Sequence, residues 1–307
     1  MSYLDTISER ADQVTPGMSA CQGCGAELIL RRVLAIAGEN TIACIPPGCM
    51  AGAGVVGWNF DNGLKIPVHI TLLDNTAAFL SGVSAMYQRR NQLNVNQVAL
   101  AGDGATADCG FQSLSGAAER GEKMLYICYD NEGYMNTGFQ RSSTTSRGSM
   151  TSTTPVGKVI PGKAQSGKYM PFIMAMHNVS YMATASPAYM KDFVEKIEKG
   201  LAASKNGFAY LHIFSACPTG WNHSSEVGIE ISRLAVKSNF FPLFEVENGQ
   251  WKQTVNVAKP VPVKDFVGTM KKFNHLTADD IENLQATADQ RAEFLKKMTT
   301  GCGTSGE

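Results

Sequence analysis

A chain of 307 residues, 44% of them hydrophobic, carries enough apolar mass to bury one large core or two modest ones. Its 27 Lys and Arg balance 27 Asp and Glu, and no long run of either sign would track a phosphate backbone or an anionic membrane surface, so no nucleic acid partner is expected. No stretch approaches the roughly 18 apolar residues of a spanning helix and the first residues lack a basic region followed by an apolar one, so no membrane contact and a cytoplasmic location are expected.

The eight cysteines then read as metal ligands and core thiols, because a reducing compartment does not support a disulfide framework. Ala26 to Ala37 has helical spacing of apolar residues with Gly38 placed to end it, and Thr41 to Ile45 reads as a short strand. Pro46 to Gly57, rich in glycine and proline, predicts an irregular loop around Cys49. Val68 to Leu73, Gln97 to Ala101 and Met124 to Tyr129 predict buried strands, alternating with helices over Thr76 to Arg90 and Phe111 to Arg120. This alternation is that of parallel βαβ units, which makes the fold class α/β.

From Glu132 to Lys168 the chain is rich in Gly, Ser, Thr and Pro and has little periodicity, too long for an ordinary connection and therefore expected to be functional or ordered by a partner. Regular structure resumes with a helix over Pro171 to Asn178, a strand over Tyr181 to Ala185, a helix over Ala188 to Ala203 and a strand over Phe208 to Phe214. Beyond Trp221 the βαβ rhythm stops. Residues 222–307 read as a C-terminal extension for subunit contacts, with a helix near Ser225 to Val236, a hairpin within Leu243 to Val255, a hinge at Pro260 and Pro262, a helix over Thr277 to Met298 and a tail from Gly301. Residues 1–221 form the main domain.

Gly102-Asp103-Gly104 directly follows a predicted strand and leads into a helix, where open α/β sheets bind ligands. The glycines admit phosphate oxygens close to the backbone. Asp103 offers magnesium a carboxylate, Asn131 at the end of the next strand offers an amide oxygen, and the Gly133 carbonyl is within reach as a third. A Gly-Asp-Gly turn alone is common; its pairing with Asp130-Asn131 is what makes it a diphosphate site.

Cys21 and Cys24 form a Cys-x-x-Cys loop, Cys49 lies in Pro-Pro-Gly-Cys-Met, and Cys217 leaves a strand in Ala-Cys-Pro-Thr-Gly-Trp. Four thiolates suit either an iron–sulfur cluster or a structural zinc. Cys44 and Cys128 fall within apolar strands and read as core thiols, Cys302 belongs to the tail, and Cys109 is left without a role. The five histidines show no paired ligand spacing; His223 is the one placed near Cys217, and Trp221 reads as a packing anchor.

These strings, together with Gly-Asp-Gly-Ala-Thr-Ala-Asp, Tyr-Asp-Asn-Glu-Gly-Tyr-Met-Asn and Thr-Pro-Val-Gly-Lys, resemble the thiamine diphosphate-binding β subunit of the pyruvate:ferredoxin and related 2-oxoacid:acceptor oxidoreductases. The resemblance runs from about Met18 to Leu295. It implies a thiamine diphosphate-binding fold with a mainly parallel sheet flanked by helices. It implies oxidative decarboxylation of a small 2-oxoacid, pyruvate or, in a specialised branch, oxalate.

The cofactors implied are thiamine diphosphate, Mg2+ on Asp103, Asn131 and Gly133, a [4Fe–4S] cluster on Cys21, Cys24, Cys49 and Cys217, and coenzyme A as co-substrate for pyruvate. Gly102 and Gly104 would border the cofactor, and Asn136 would face its reactive carbon as the catalytic residue. The partners implied are an α subunit supplying the glutamate that activates the aminopyrimidine, γ and ferredoxin-like δ subunits or fused equivalents, and ferredoxin. Pro47-Gly48-Cys49 and the glycine-rich Ala51 to Gly57 depart from the common family pattern and put the substrate in question. The rival readings are a non-redox thiamine diphosphate decarboxylase or carboligase with structural zinc, and a non-catalytic electron-transfer subunit.

Overall fold

A computed structural model describes residues 9–52 and 63–300. Helix α1 (Gly25–Ala37) forms because Ile29, Leu30, Val33 and Leu34 recur three and four apart, and all four are buried. Gly38, at φ 77°, ends it in a conformation that a side chain resists. Strand β1 (Thr41–Ile45) follows, then the short edge strand β2 (Val68–Ile70), helix α2 (Thr76–Arg89) and strand β3 (Asn96–Gly102). A widened helical turn at Ala105–Cys109 leads into α3 (Phe111–Glu119) and β4 (Met124–Asp130).

Between Asn131 and Tyr169 there is no named helix or strand, as the composition of that segment predicts. It is nonetheless internally bonded, and Ser142, Thr144, Thr145 and Ser146 are buried. The chain resumes with α4 (Met170–Ala175), β5 (Tyr181–Ala185), α5 (Met190–Ala203), β6 (Phe208–Phe214) and the four-residue α6 (Pro218–Trp221). Helix α4 stops short of the expected Asn178, which takes a left-handed backbone at φ 54°. The helix expected from Ser225 opens as a tight turn over Ser225–Val227 before α7 (Gly228–Lys237).

The hairpin is β7 (Phe244–Glu247) and β8 (Gln250–Gln253), turned by Asn248 and Gly249, both with positive φ as such a turn requires. Helices α8 (Val263–Val267) and α9 (Ala278–Thr300) complete the described residues. The expected tail from Gly301, Cys302 within it, and residues 53–57 of the glycine-rich loop lie outside them.

One sheet of eight strands runs β2-β1-β3-β4-β6-β5-β7-β8. The first six are parallel and the last two antiparallel. Every residue of β4 and β6 is buried, which is the signature of strands covered by helices on both faces. α1 and α5 pack on one face around Leu30, Leu125 and Phe193; α2, α3 and α4 pack on the other around Leu80, Tyr126 and Met174.

A third cluster of Phe214, Trp221, Phe266 and Leu284 lies beyond the strand ends. Residues after 222 build β7 and β8 onto this same sheet and supply most of that third cluster. The chain leaves β1 toward β2 on one side and leaves β3 toward β4 on the other. This reversal opens a crevice at the carboxyl ends of β1 and β3, the place where such sheets take ligands.

Candidate active site

Parallel pairing of β3 with β4 sets Gly102 opposite Tyr129, so the residues that follow, Asp103 and Asn131, meet at the two strand ends. Asp103 is fully buried. Its Oδ1 accepts from the Asn131 N–H at 3.3 Å, and its Oδ2 accepts from the hydroxyls of Ser142 and, at 2.9 Å, Thr144. One terminal atom of the Asn131 amide lies 3.0 Å from Asp103 Oδ1 and 2.9 Å from the Gly133 carbonyl. As nitrogen it donates to both. As oxygen it makes a triad of oxygens that only a cation between them reconciles, and neighbouring ligands at about 2.1 Å in an octahedral shell stand roughly 3 Å apart. The three residues therefore fit magnesium.

Charge in this corner is unbalanced without a cation. Burial, and then the neighbouring Asp130, push the Asp103 carboxyl well above the usual range. Burial also works against Asp130, but the His212 hydrogen bond at 2.8 Å, the Glu132 N–H and Thr144 outweigh it and hold Asp130 below its ordinary value. The Thr144 hydroxyl stands 2.9 Å from both carboxylates and has one proton for the two.

A cavity of about 110 Å³ opens above this corner, lined by Gly102, Gly104, Gly133, Leu73 and Asn136 among others. Tyr134 lies flat over Gly104: a Cβ there would stand 2.4 Å from the ring, so only glycine admits it. Asn136 is exposed at the mouth.

A second cavity, of about 240 Å³, is lined by Cys21, Cys24, Cys49 and Cys217. The Cys-x-x-Cys pair and the sequence-distant Cys49 and Cys217 are brought together, and all four are free. Gly25 N–H donates to Ala216 O at 3.2 Å, tying the Cys-x-x-Cys loop to the residue before Cys217. Cys24 precedes the first turn of α1, and Cys217 precedes α6 and accepts from Gly220 N–H at 3.3 Å. Burial pushes the Cys49 thiol up to about 12 and Cys217 up to about 11, with the neighbouring cysteines adding to both.

Any thiolate ligation in this cavity would therefore have to displace protons. Ser215, 1% exposed, presents its Oγ to the cavity without a hydrogen-bond partner among the described residues. An orphaned hydroxyl and four thiols fit a polar, sulfur-bound group. No three Cys, His, Asp or Glu side chains among the described residues converge tightly enough for a single metal ion.

Residues 48–213 match the family of thiamine pyrophosphate enzymes, C-terminal TPP binding domain. The chain is 47% identical over 299 residues to the NADH-dependent phenylglyoxylate dehydrogenase subunit beta of Aromatoleum evansii, covering 97% of this chain and 67% of that one. It is 41% identical over 294 residues to the pyruvate synthase subunit PorB of Methanocaldococcus jannaschii, covering 93% and 97%. The chain belongs to the β subunits of the 2-oxoacid:ferredoxin oxidoreductases. The ketoisovalerate oxidoreductase subunit VorB of Pyrococcus furiosus is 41% identical, with 92% of each chain covered. A 2-oxoglutarate:ferredoxin oxidoreductase from Magnetococcus marinus shares the fold at a TM-score of 0.57 and 21% identity, over 76% of this chain and 80% of that one.

Several residues of this β subunit's site carry no recognisable sequence signal. Ser142 and Thr144 come from the aperiodic segment and cannot be told from other loop hydroxyls. His212, one of five unpaired histidines, bridges Asp130 and the Tyr210 hydroxyl, at 2.8 and 2.7 Å. Glu132, held at φ 59°, is ion-paired to the buried Lys272, whose ammonium lies 4.0 Å from the Trp221 ring centre.

Trp221 is the packing anchor expected, and its indole N–H also donates to Asn131 O at 2.8 Å, fixing the loop after β4 from behind. His223 lies tilted beside Trp221, ring centres 6.3 Å apart, and its Nδ1 is hydrogen-bonded to the neighbouring Ser224 carbonyl; its Nε2 has no partner among the described residues. Cys109 is exposed, 3.4 Å from the Tyr134 hydroxyl.

Proposed function

We propose that this chain serves a complex that oxidatively decarboxylates a small 2-oxoacid, pyruvate or, in the specialised branch, oxalate, and passes the electrons through a [4Fe–4S] cluster to ferredoxin. The observation that carries the reading is the wall common to the two cavities: Cys49, Asn131, Met135 and Asn136 line both. A cofactor in one and a cluster in the other would stand side by side. Thiamine diphosphate, when bound, supplies the electron sink for loss of CO2.

Asp103, Asn131 and the Gly133 carbonyl would hold its diphosphate through Mg2+, with Gly102 and Gly104 leaving room for it. Cys21, Cys24, Cys49 and Cys217 would hold the cluster. The Asn136 amide, at the shared wall, would donate to charge developing on the substrate oxygen, a contribution of about 3 kcal/mol.

No glutamate lines the cofactor cavity among the described residues, which supports an α subunit as the source of the group that activates the aminopyrimidine. γ and ferredoxin-like δ subunits, or fused equivalents, would complete the path, with coenzyme A accepting the acyl group when pyruvate is the substrate. Residues 222–307 would meet these partners, in the cytoplasm.

A bulkier 2-oxoacid is a second reading, favoured by the 47% identity to the phenylglyoxylate relative and by the apolar Met135 in the shared wall with Phe139 on its cysteine side. The test is anaerobic purification with the partner chains, followed by analysis for iron, acid-labile sulfide and thiamine diphosphate. Electron transfer to ferredoxin is then measured on pyruvate, oxalate, 2-oxoisovalerate and phenylglyoxylate, with and without coenzyme A. An iron-free, colourless complex that still decarboxylates would defeat the redox reading.

A further inference from the structure

Ser215 continues the pairing of β6 with β4 by one residue, its N–H donating to Asp130 O at 2.9 Å. Strand alternation therefore turns Phe214 into the aromatic cluster beyond the strand ends and Ser215 toward the opposite side, where the thiols are. The residue is 1% exposed and its Oγ has no partner among the described residues. A Cβ on Gly25 would stand 3.2 Å from this oxygen and 2.8 Å from Ala216 O, so glycine at that point of the Cys-x-x-Cys loop is what lets the loop close over the hydroxyl. Cys217 lies two residues further on.

A buried hydroxyl left unpaired is unfavourable, a cost that an occupant of the cavity would remove. Ser215 takes no part in the magnesium corner. Nor is it one of the four thiols.

We infer that Ser215 is a positioning residue of the cysteine cavity, whose hydroxyl donates a hydrogen bond to a sulfur of the cluster bound there and raises that cluster's reduction potential. The inference rests on the cluster reading given above. Reduction adds negative charge to the cluster sulfurs, so an O–H donor stabilises the reduced form more than the oxidised one. The hydroxyl gives no ligand bond and changes no electron count.

The test uses the full-length chain purified anaerobically with its partner subunits. In Ser215→Ala the iron and sulfide content is expected to stay at the wild-type level while electron affinity drops about tenfold, a fall of roughly 59 mV for a one-electron couple. An exchangeable-proton coupling to the reduced cluster, read by electron–nuclear double resonance in H2O against D2O, is expected to vanish. Ser215→Thr, which keeps the hydroxyl, is expected to restore both.

An Ala variant with the wild-type midpoint and coupling overturns the inference and leaves the hydroxyl to a trapped water. If the Ala variant fails to load, a Thr variant that loads with the wild-type midpoint supports it, and a Thr variant that also fails overturns it. A wild-type complex without iron defeats the cluster reading instead, and that result is seen before any variant is made.

Discussion

Replacing Gly104 by alanine separates backbone preference from space. The residue has φ −62° and ψ −44°, an ordinary right-handed helical conformation, so on propensity alone alanine would stabilise the chain by about 1 kcal/mol. The new Cβ would, however, stand 2.4, 2.6 and 2.8 Å from Cε1, Cζ and Cδ1 of Tyr134, where carbon atoms rest at about 3.5–4.0 Å. The ring has to retreat by roughly 1 Å.

It is held at both ends. Its hydroxyl lies 3.1 Å from Gly104 O and 3.2 Å from Asp108 Oδ2, and its N–H donates to Gln140 O at 2.9 Å. Retreat therefore pulls on Gly133, the carbonyl that completes the oxygen triad. Overpacking costs about 1–3 kcal/mol and the weakened hydroxyl contact about 1 more, against about 1 regained from propensity.

Binding has to bring the Gly133 carbonyl back into place against the retreated ring, so a cost of this size, about 1–3 kcal/mol, is drawn from binding and weakens thiamine diphosphate and Mg2+ about 5- to 150-fold. Titration calorimetry of the anaerobic complex measures this. Tyr134→Ala added to Gly104→Ala removes the clash and is expected to recover affinity. A single variant that binds within about twofold of wild type, or a double variant no better than the single, would refute the steric argument.

Asp103→Asn is expected to raise the melting temperature of the metal-free chain, because it removes a buried charge that burial and Asp130 disfavour, and to abolish the increment that Mg2+ with thiamine diphosphate gives; calorimetry reads both. Lys272→Met leaves the Glu132 carboxylate buried without its cation and is expected to cost about 3–5 kcal/mol in urea unfolding, much of which Glu132→Gln in the same chain should return. Burial brings the Lys196 ammonium down to about 8 against its Asp192 partner. Unfolded lysine keeps its proton to about 10.4, so between these values the unfolded chain binds more protons and stability rises with pH by about 3 kcal/mol. The stability difference between wild type and Lys196→Met, measured in urea at pH 7 and pH 10, isolates that gain, and a difference that does not change with pH contradicts it.

The strands Thr41–Ile45, Tyr181–Ala185 and Phe208–Phe214 are legible to the residue, because each is an apolar run closed by polar, proline or glycine positions. Asp103, Asn131 and Gly133 are legible for a topological reason: consecutive parallel strands that pair must bring their carboxyl ends together. Ser142 and Thr144 are not, since an aperiodic segment gives no rule for which hydroxyl turns inward. Lys272 is less legible still. It reaches Glu132 across 140 positions, and a lysine in a charged C-terminal stretch reads as solvated. The common element is distance in sequence: patterns report which face a residue takes, whereas these side chains are fixed by what arrives from elsewhere.

The same distinction explains how the acidic residues of the corner are balanced. Asp103 and Asp130 share the single proton of Thr144, and only Asp130 is also hydrogen-bonded to the His212 ring. Asp103 is the carboxylate left over. Glu132, which would add a third negative group, is neutralised by Lys272, and the ring of Trp221 against that ammonium also fixes the Asn131 carbonyl. Two of three acidic residues are thus compensated by the protein, and the uncompensated one is the one that points at Asn131 and Gly133. A divalent cation at that point would complete the charge balance, which is why Asp103 alone, and not its neighbours, is expected to stabilise the metal-free chain when neutralised.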